Sequence, residues 1–194
     1  FKGLQEAMDG DVQGDPATFQ KTAEAFFKGL QAGREEAYKE HKEAGARFLA
    51  ENAKKEGVKV LPSGLQYKVL ETGKDGAETP TLVSLVSCHY RGTLIDGTEF
   101  DNSRERADKK PVNFPTSGRG LIRGWTEALQ LMKVGDKWRL FVPENLAYGR
   151  RGSPPKIPPG SALIFEVELL DVKPMPKPQR APGGGMPFQP PPRG

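Results

Sequence analysis

The sequence contains few of the residues that proteins use for disulfides, metal sites and covalent catalysis. Among 194 residues there are one cysteine and two histidines. The single cysteine, Cys88, excludes an intramolecular disulfide and a cysteine-based metal cluster, and its apolar strand context predicts a buried side chain. Only His41 and His89 could supply imidazoles, which argues against a histidine-based metal site. The sequence therefore predicts a protein with no cofactor and with neither a Ser/His/Asp nor a Cys/His catalytic set.

Long apolar runs and a recognisable leader are also absent. No run approaches the ~20 apolar residues that span a bilayer, so no transmembrane segment is predicted. Residue 1 is phenylalanine rather than methionine, and we expect that a targeting segment and part of the first helical segment are missing upstream. This start and the lone cysteine fit either a periplasmic mature form or a cytosolic protein. Our expectation is a periplasmic or outer-membrane-associated protein, with a cytoplasmic protein as the alternative.

The positive charge of the chain is confined to its end. The formal net charge is +4, and residues 173–194 hold four basic and no acidic residues, so residues 1–172 are formally neutral. Residues 174–194 also hold eight of the 18 prolines, which predicts a disordered Pro/Gly-rich tail. A nucleic-acid or anionic-surface binder is a rival hypothesis, but four charges on a flexible tail make few phosphate contacts, and we expect no nucleic-acid partner.

A long helix is predicted before the strand-rich part of the chain. Asp15-Pro16 is a typical helix start, and apolar residues then recur every three or four positions towards an end signal at Gly57. A helix of about 40 residues would be ~60 Å long, too long for one small domain to cover. We expect its charged stretch 35–43 to face solvent and its apolar first third to bind a partner; the apolar residues are Phe19, Phe26, Phe27 and Leu30.

Residues 64–173 predict a sheet with one short helix. Alternation marks strands at 65–70, 82–95, 99–115 with a charged loop inside it, 137–143 and 161–172, and Asp96-Gly97 is a strong hairpin signal. One helical face must lie on the sheet, because a short helix is unstable alone. The predicted class is α+β, a five-stranded antiparallel half-barrel wrapped on one short helix and preceded by the long helix. The residues of the helical face are Trp125, Ala128, Leu129 and Met132.

Several apolar residues fall where a single core is hard to build. Tyr148 and Ile157 lie in the Pro/Gly-rich segment 144–160, and Asp101 directly follows Phe100. Apolar side chains at strand ends and in loops, with few polar neighbours, are typical of a concave ligand pocket. Trp125 is then either an ordinary core residue or the floor of that pocket. Three further residues are assigned to the core: Phe114, Leu163 and Val167.

Three separated stretches resemble the FKBP-type peptidyl-prolyl cis/trans isomerases: YRGTLIDGTEFDNSRER (90–106), LIRGWTEALQLMKVGDKWRLFVPENLAYG (121–149) and IPPGSALIFEVELLDV (157–172). The lead-in FLAENAKKEGVKVLPSGLQYKVLETG (48–73) resembles the bacterial two-domain, macrophage infectivity potentiator-like branch. Members of that branch carry a helical dimerisation domain. The resemblance implies a helical dimerisation and spacer segment over 1–57, an isomerase domain over 58–173, the tail over 174–194, and a homodimer formed through the N-terminal helices.

By position, the resemblance implies ten site residues. Trp125 would be the floor for a proline ring, while the backbone N–H of Ile122 and the hydroxyl of Tyr148 would donate hydrogen bonds to substrate or macrolide carbonyls. Asp101 would be the acid at the rim, and its pairing with Arg106 is either functional or purely structural. Tyr90 is either a wall or only a packing residue. The residues implied for substrate or macrolide binding are Tyr90, Phe100, Arg106, Leu121, Ile157 and Phe165.

The implied activity is rotation about X–Pro bonds in unfolded or partly folded polypeptides, without covalent chemistry. Rotation about an amide costs ~18–20 kcal/mol. The twisted transition state has lost resonance and is less dipolar than the planar form, so a dry apolar pocket favours it. The main rival is a folding chaperone or scaffold that uses the pocket only for docking. Ser153 and Lys156 make the loop before Ile157 more polar than in many relatives, which concerns substrate preference rather than the reaction.

Overall fold

The computed structural model describes residues 16–117 and 120–175. The residues before Pro16, the Phe19 side chain and the predicted tail beyond residue 175 lie outside this described part. Its elements, in chain order, are α1 (Pro16–Asn52), β1 (Val58–Val60), β2 (Gln66–Glu71), β3 (Ser84–Leu94), β4 (Glu99–Asn102), β5 (Val112–Pro115), α2 (Arg123–Leu129), β6 (Lys137–Val142), two short 3₁₀ helices (Glu144–Leu146 and Gly149–Arg151) and β7 (Leu163–Pro174).

The strands of the described residues form one antiparallel sheet in the order β1-β2-β6-β7-β3-β4, and β5 also pairs with β3. The predicted α+β class is confirmed, but seven strands replace the expected five. β1 is not among the predicted strands, because three residues are too few for alternation to show. The predicted strand 99–115 is two strands. β4 ends with Asn102 opposite Arg91 of β3, and after the charged loop β5 begins with Val112 opposite Cys88 and ends with Pro115 opposite Leu85.

The core lies between α2 and the concave face of the sheet. The predicted burial is confirmed, because Trp125, Ala128, Leu129 and Met132 are each at most 3% exposed. The helix is shorter than predicted, since α2 ends at Leu129 and Met132 lies beyond it. Alternate residues of β7 and β6 supply the opposing wall, as period-two strands require. Cys88 is fully buried as predicted, and burial raises the pKa of its thiol to about 12.

Helix α1 packs against the sheet domain through one of its faces. Residues at positions 35, 38, 41, 45, 48 and 52 are buried or half-buried, a spacing of three and four that follows one helical face. The expectation that stretch 35–43 faces solvent was therefore wrong for this face. The helix also ends at Asn52, where the side-chain amide donates to Gln66 Oε1 at 3.0 Å, and Gly57, with φ 78°, lies in the turn to β1.

The described residues contain neither a candidate membrane span nor a candidate metal cluster. None of their helices combines the length and apolarity that crossing a membrane requires. Their His, Cys, Asp and Glu side chains form no group of three that could hold a metal ion.

Glycine 124 allows α2 to lie directly on β6. A Cβ at this position would stand 2.6 Å from Val142 Cγ1, and Val142 is β-branched and fully buried, so it has little freedom to move. We therefore predict that Gly124→Ala destabilises the protein, because overpacking costs ~1–3 kcal/mol and the helix-propensity gain is only ~1 kcal/mol. Denaturant unfolding monitored by tryptophan fluorescence measures the change.

The matched control is Gly33→Ala in α1, where an added Cβ meets nothing within 4 Å. This variant should be as stable as the parent chain or more stable. An equal or increased free energy of unfolding in Gly124→Ala would contradict the close packing of α2 on β6.

Candidate functional site

A cavity of about 210 Å³ opens above α2 at one end of the concave sheet face. Eight of the ten residues proposed from the sequence line it, together with two that were not proposed. The proposed ones are Tyr90, Phe100, Asp101, Leu121, Ile122, Trp125, Tyr148 and Phe165; the others are Phe114 and Gly120.

Each side of this cavity comes from a different element. Tyr90 is on an inward position of β3 and Phe100 on an inward position of β4. Phe165 is on an inward position of β7, beside Gly92, where a Cβ would stand 2.6 Å from the Phe100 ring. The pairing Gly92↔Phe165 in the sheet therefore needs glycine, because both phenyl rings fill the space above it.

Trp125 lies at the bottom of the cavity with aromatic rings around it. Its ring centroid is 5.3 Å from Tyr90, 5.4 Å from Phe114 and 5.4 Å from Phe165, all in edge-to-face contacts. Such contacts add orientation to apolar burial and hold the rings in one arrangement. The indole N–H is buried and has no hydrogen-bond partner among the described residues. The floor is thus rigid and almost wholly apolar.

Phe114 is the site residue that the sequence analysis missed. It was assigned to the core, but it borders the cavity and contacts both Tyr90 and Trp125. Its position depends on the pairing of β5 with β3, in which Phe114 stands opposite Val86. A four-residue strand after a charged loop gives no sequence signal of that pairing. No sequence pattern indicated that Gly120, which precedes Leu121, would line the cavity either.

Tyr90, Asp101 and Arg106 form a closed hydrogen-bonded group at the rim. The Tyr90 hydroxyl donates to Asp101 Oδ2 at 2.5 Å. Arg106 Nη2 donates to the Tyr90 hydroxyl at 2.5 Å and to Asp101 Oδ2 at 3.0 Å. Arg106 itself does not line the cavity. Burial, and then the hydrogen bond to Asp101, raises the pKa of Tyr90. The carboxylate is thus paired and Tyr90 is more than a packing residue.

Tyr148 reaches the cavity from the segment between the two 3₁₀ helices. Its side chain is 40% exposed, and its hydroxyl makes no hydrogen bond to another described residue. Burial of part of the ring, and then the Asp101 charge, raises the pKa of Tyr148. The hydroxyl is therefore a neutral, unengaged donor facing the cavity.

Ile122 is placed so that its backbone can also serve as a donor. It is the residue before α2 and has an extended conformation, with φ −69° and ψ 152°. Its carbonyl accepts from Trp125 N at 3.1 Å, which directs that carbonyl into the helix. The N–H of Ile122 makes no hydrogen bond to another described residue, as expected for the first donors of a helix.

Ile157 lies away from this cavity. It is 4% exposed and belongs to the core cluster, and its backbone exchanges hydrogen bonds of 2.8 and 3.0 Å with Ser153. Lys156, beside it, donates from Nζ to the Phe100 carbonyl at 2.8 Å. The Lys156 ammonium therefore serves a structural contact that ties this loop to β4.

The family comparisons agree with this geometry. A family model described as "FKBP-type peptidyl-prolyl cis-trans isomerase" matches residues 76–170. A second, described as "Domain amino terminal to FKBP-type peptidyl-prolyl isomerase", matches residues 1–69. The first match contains the residues of the cavity and the second contains α1.

Curated relatives and a solved structure give the same result. The chain is 43% identical over 171 residues to the FKBP-type 22 kDa peptidyl-prolyl cis-trans isomerase of Escherichia coli K12, covering 88% of this chain and 80% of that protein. It is 44% identical over 177 residues to Outer membrane protein MIP of Legionella longbeachae, covering 89% and 73%.

The E. coli K12 isomerase FkpA is 41% identical over 179 residues, which cover 90% of this chain but only 64% of FkpA. The crystal structure of E. coli FkpA superposes with a TM-score of 0.73 at 41% identity, covering 90% of this chain and 81% of that one. With two family models, these relatives and the aromatic cavity in agreement, the chain belongs to the FKBP-type peptidyl-prolyl cis-trans isomerases, in the two-domain branch that includes FkpA and Mip.

Proposed function

We propose that the 210 Å³ cavity is the active site in which this isomerase rotates X–Pro bonds of unfolded or partly folded polypeptides. The observation that carries the proposal is the combination of an apolar floor, Trp125, with two unengaged donors at the rim, the Tyr148 hydroxyl and the Ile122 N–H. A proline ring fits the floor, and the flanking carbonyls fit the donors. The reaction needs no proton transfer or covalent intermediate.

The physical basis of catalysis is a preference of the cavity for the twisted amide. The planar amide owes its barrier of ~18–20 kcal/mol to resonance, and resonance also makes it the more dipolar form. Water solvates the planar form well, whereas a ring of aromatic side chains does not. Binding therefore stabilises the half-rotated state relative to the planar one. Fixed donors hold the carbonyl oxygens while the bond turns.

The Tyr90–Asp101–Arg106 group neutralises the charge at the cavity rim, which preserves the preference of the cavity for the twisted amide. An unpaired carboxylate at the rim would attract water and would favour the dipolar planar form. Arg106 compensates the charge of Asp101 at 3.0 Å, and the Tyr90 hydroxyl accepts and donates within the group. We assign Asp101 and Arg106 to orienting the Tyr90 wall, and Phe100, Leu121 and Phe165 to substrate contact. We assign Ile157 to anchoring its loop, through its core packing and its backbone hydrogen bonds to Ser153.

The first test removes the floor residue, Trp125, and the donor, the Tyr148 hydroxyl, in separate variants. Tyr148→Phe should lower kcat/KM for a proline-containing peptide about two- to tenfold, because a net hydrogen bond contributes ~0.5–1.5 kcal/mol. Trp125→Leu should lower it further, since the floor and its ring contacts are lost. The measurement is a protease-coupled isomerisation assay on folded variants.

Trp138→Leu is the matched control for the loss of an indole. Trp138 is buried and stacks on Tyr67 at 4.3 Å, outside the cavity lining, so kcat/KM of the folded variant should stay close to that of the parent. Unchanged rates in both Trp125→Leu and Tyr148→Phe would refute the site. Folding assistance that survives both variants would instead support the chaperone alternative, which the family assignment does not favour.

The second test uses pH. Because the pKa values of Tyr90 and Tyr148 are raised, both hydroxyls stay neutral above the ordinary tyrosine pKa of ~10. We predict that kcat/KM does not fall as pH rises from about 7 to about 10. In a titration followed at 295 nm, Tyr148→Phe should remove a late-ionising tyrosine. An activity loss centred near the ordinary tyrosine pKa, present in the parent and absent in Tyr148→Phe, would contradict this assignment.

We also propose that the cavity binds macrolides. Macrolide carbonyls would accept hydrogen bonds from Ile122 and Tyr148 while an apolar ring of the compound rests on Trp125. Binding should quench or shift tryptophan fluorescence in the parent chain and should compete with the peptide substrate. A macrolide that binds equally well to Trp125→Leu would count against this site.

We propose that α1, which forms the helical arm of the protein, makes the protein a homodimer. Under the division into 1–57, 58–173 and 174–194, α1 lies entirely in the first part, and its early turns leave three large apolar side chains exposed. Phe26 is 45%, Phe27 61% and Leu30 49% exposed. A partner covering them would gain apolar burial of ~25 cal/mol per Å².

The prediction is that residues 1–194 sediment as a dimer and residues 58–194 as a monomer. Phe26→Ser with Leu30→Ser should shift the longer chain towards monomer, whereas Gln20→Ser with Lys28→Ser, on the same helix, should not. A monomeric parent chain at micromolar concentration would contradict the dimer.

The compartment proposed is the periplasm or the outer membrane. The support is the name of one relative, Outer membrane protein MIP. Fractionation of native cells with an antibody to the chain is the test, and recovery in the cytoplasm would overturn it.

A further inference from the structure

Helix α1 contacts the segment that carries Tyr148. We define residues 144–162, between β6 and β7, as the site loop. Four residues of α1 contact it: Glu35, Tyr38, Lys42 and Gly45. These positions are spaced three or four apart and share the face of α1 that packs on the domain. The contacts involve both the first and the last residues of the site loop.

The last residues of the site loop touch the backbone of α1. A Cβ at Gly45 would stand 2.9 Å from the Cβ of Ala162, and a Cβ at Gly160 would stand 2.4 Å from the Tyr38 carbonyl oxygen. Real Cβ atoms do not come this close to other heavy atoms. The two glycines therefore allow helix and loop to meet with no side chain between them, and the gap has no room for an added methyl group.

The first part of the site loop is held by side chains of α1. The Tyr38 hydroxyl donates to Glu144 Oε1 at 3.2 Å, and Lys42 Nζ lies 3.7 Å from the same oxygen. The Arg150 guanidinium lies 4.7 Å from the centre of the Tyr38 ring and pairs with Glu35. An exposed ion pair is worth little alone, so Tyr38 is the main residue of this contact.

Tyr148 lies between these two anchored regions. Its carbonyl accepts from Gly152 N at 3.2 Å, and the carbonyl of Gly149 accepts from Gly160 N at 2.9 Å. The loop backbone around Tyr148 is thereby joined to Gly160, which rests on Tyr38. The Tyr148 hydroxyl itself makes no hydrogen bond to any other described residue. The position of the hydroxyl thus depends on the loop backbone, and that backbone rests on α1.

We infer that Tyr38 and Gly45 of α1 are positioning residues for Tyr148, so that the isomerisation rate depends on the packing of the helical arm against the catalytic domain. The inference rests on the proposed role of Tyr148 as a donor to the substrate carbonyl. A donor displaced by a fraction of an ångström still binds the substrate but no longer meets the twisted amide. The arm is then part of the catalytic machinery rather than a spacer alone.

The test uses matched glycine substitutions on one helix. Gly45→Ala adds a methyl group against Ala162, and Gly33→Ala adds the same group where nothing lies within 4 Å. Both should favour the helix by ~1 kcal/mol, so neither is expected to unfold the arm. We expect kcat/KM to fall about threefold to tenfold in Gly45→Ala, mainly through kcat, and to stay unchanged in Gly33→Ala.

A compensating exchange distinguishes positioning from general damage. In the double variant Gly45→Ala with Ala162→Gly, the methyl group moves from the loop to the helix and the clash is removed. This double variant should recover most of the parental rate. Tyr38→Ala should lower the rate as well, and Tyr38→Phe, which keeps the ring beside Arg150, should lose less.

A double-mutant cycle connects the effect to Tyr148. If Gly45→Ala acts through the hydroxyl, its effect should shrink to less than twofold in a Tyr148→Phe background. Equal rates for Gly45→Ala and Gly33→Ala, with Tyr148→Phe impaired, would overturn the positioning inference alone. An unimpaired Tyr148→Phe would overturn the donor role first, and the inference with it. A full effect of Gly45→Ala in the Tyr148→Phe background would also overturn it.

Discussion

The packing of Trp125 against three other rings is the contact on which the rest of the site depends. The indole can lie at the cavity floor only because Gly124 lets α2 approach Val142 of β6. Tyr90, Phe114 and Phe165 then meet it edge-on, each from a different strand. These edge-to-face contacts orient the rings around the space above the indole. An apolar hollow of this kind is also what a non-covalent isomerase needs, so the fold and the proposed site share one contact.

The buried residues of α2 and of the concave sheet face could be predicted because helices and strands place them at regular intervals in the sequence. Spacing in α2 identified the buried face, and alternation in β7 identified the inward residues. Eight of the ten residues that the resemblance implied line the cavity. The differences rest on contacts that leave no periodic trace in the sequence. Phe114 borders the cavity through the pairing of β5 with β3, and Ile157 lies in the core and exchanges backbone hydrogen bonds with Ser153 inside its own loop.

The same reason explains the wrong expectation for α1. Stretch 35–43 is charged on average, and average composition predicted solvent on all sides. A helix that packs on one side needs only every third or fourth residue to fit, and Tyr38 and Gly45 fit. Lys42 even uses its charge in the contact, reaching Glu144 at 3.7 Å. Because charged residues occupy the other faces of the helix, the average composition of the stretch does not reveal that one face packs against the domain.

In this site the donor groups must stay unpaired, while the backbone that carries them must be held in place. In the proposed mechanism, donors that act on a rotating amide have to be free of protein partners, so the Tyr148 hydroxyl and the N–H of Ile122 are not held by hydrogen bonds of their own to other described residues. Their positions must then come from the backbone that carries them. For Ile122 that backbone is the start of α2, fixed by the indole packing. For Tyr148 it is a Pro/Gly-rich loop with little core of its own. A loop of that kind needs an outside support, and among the described elements α1 is placed to provide it.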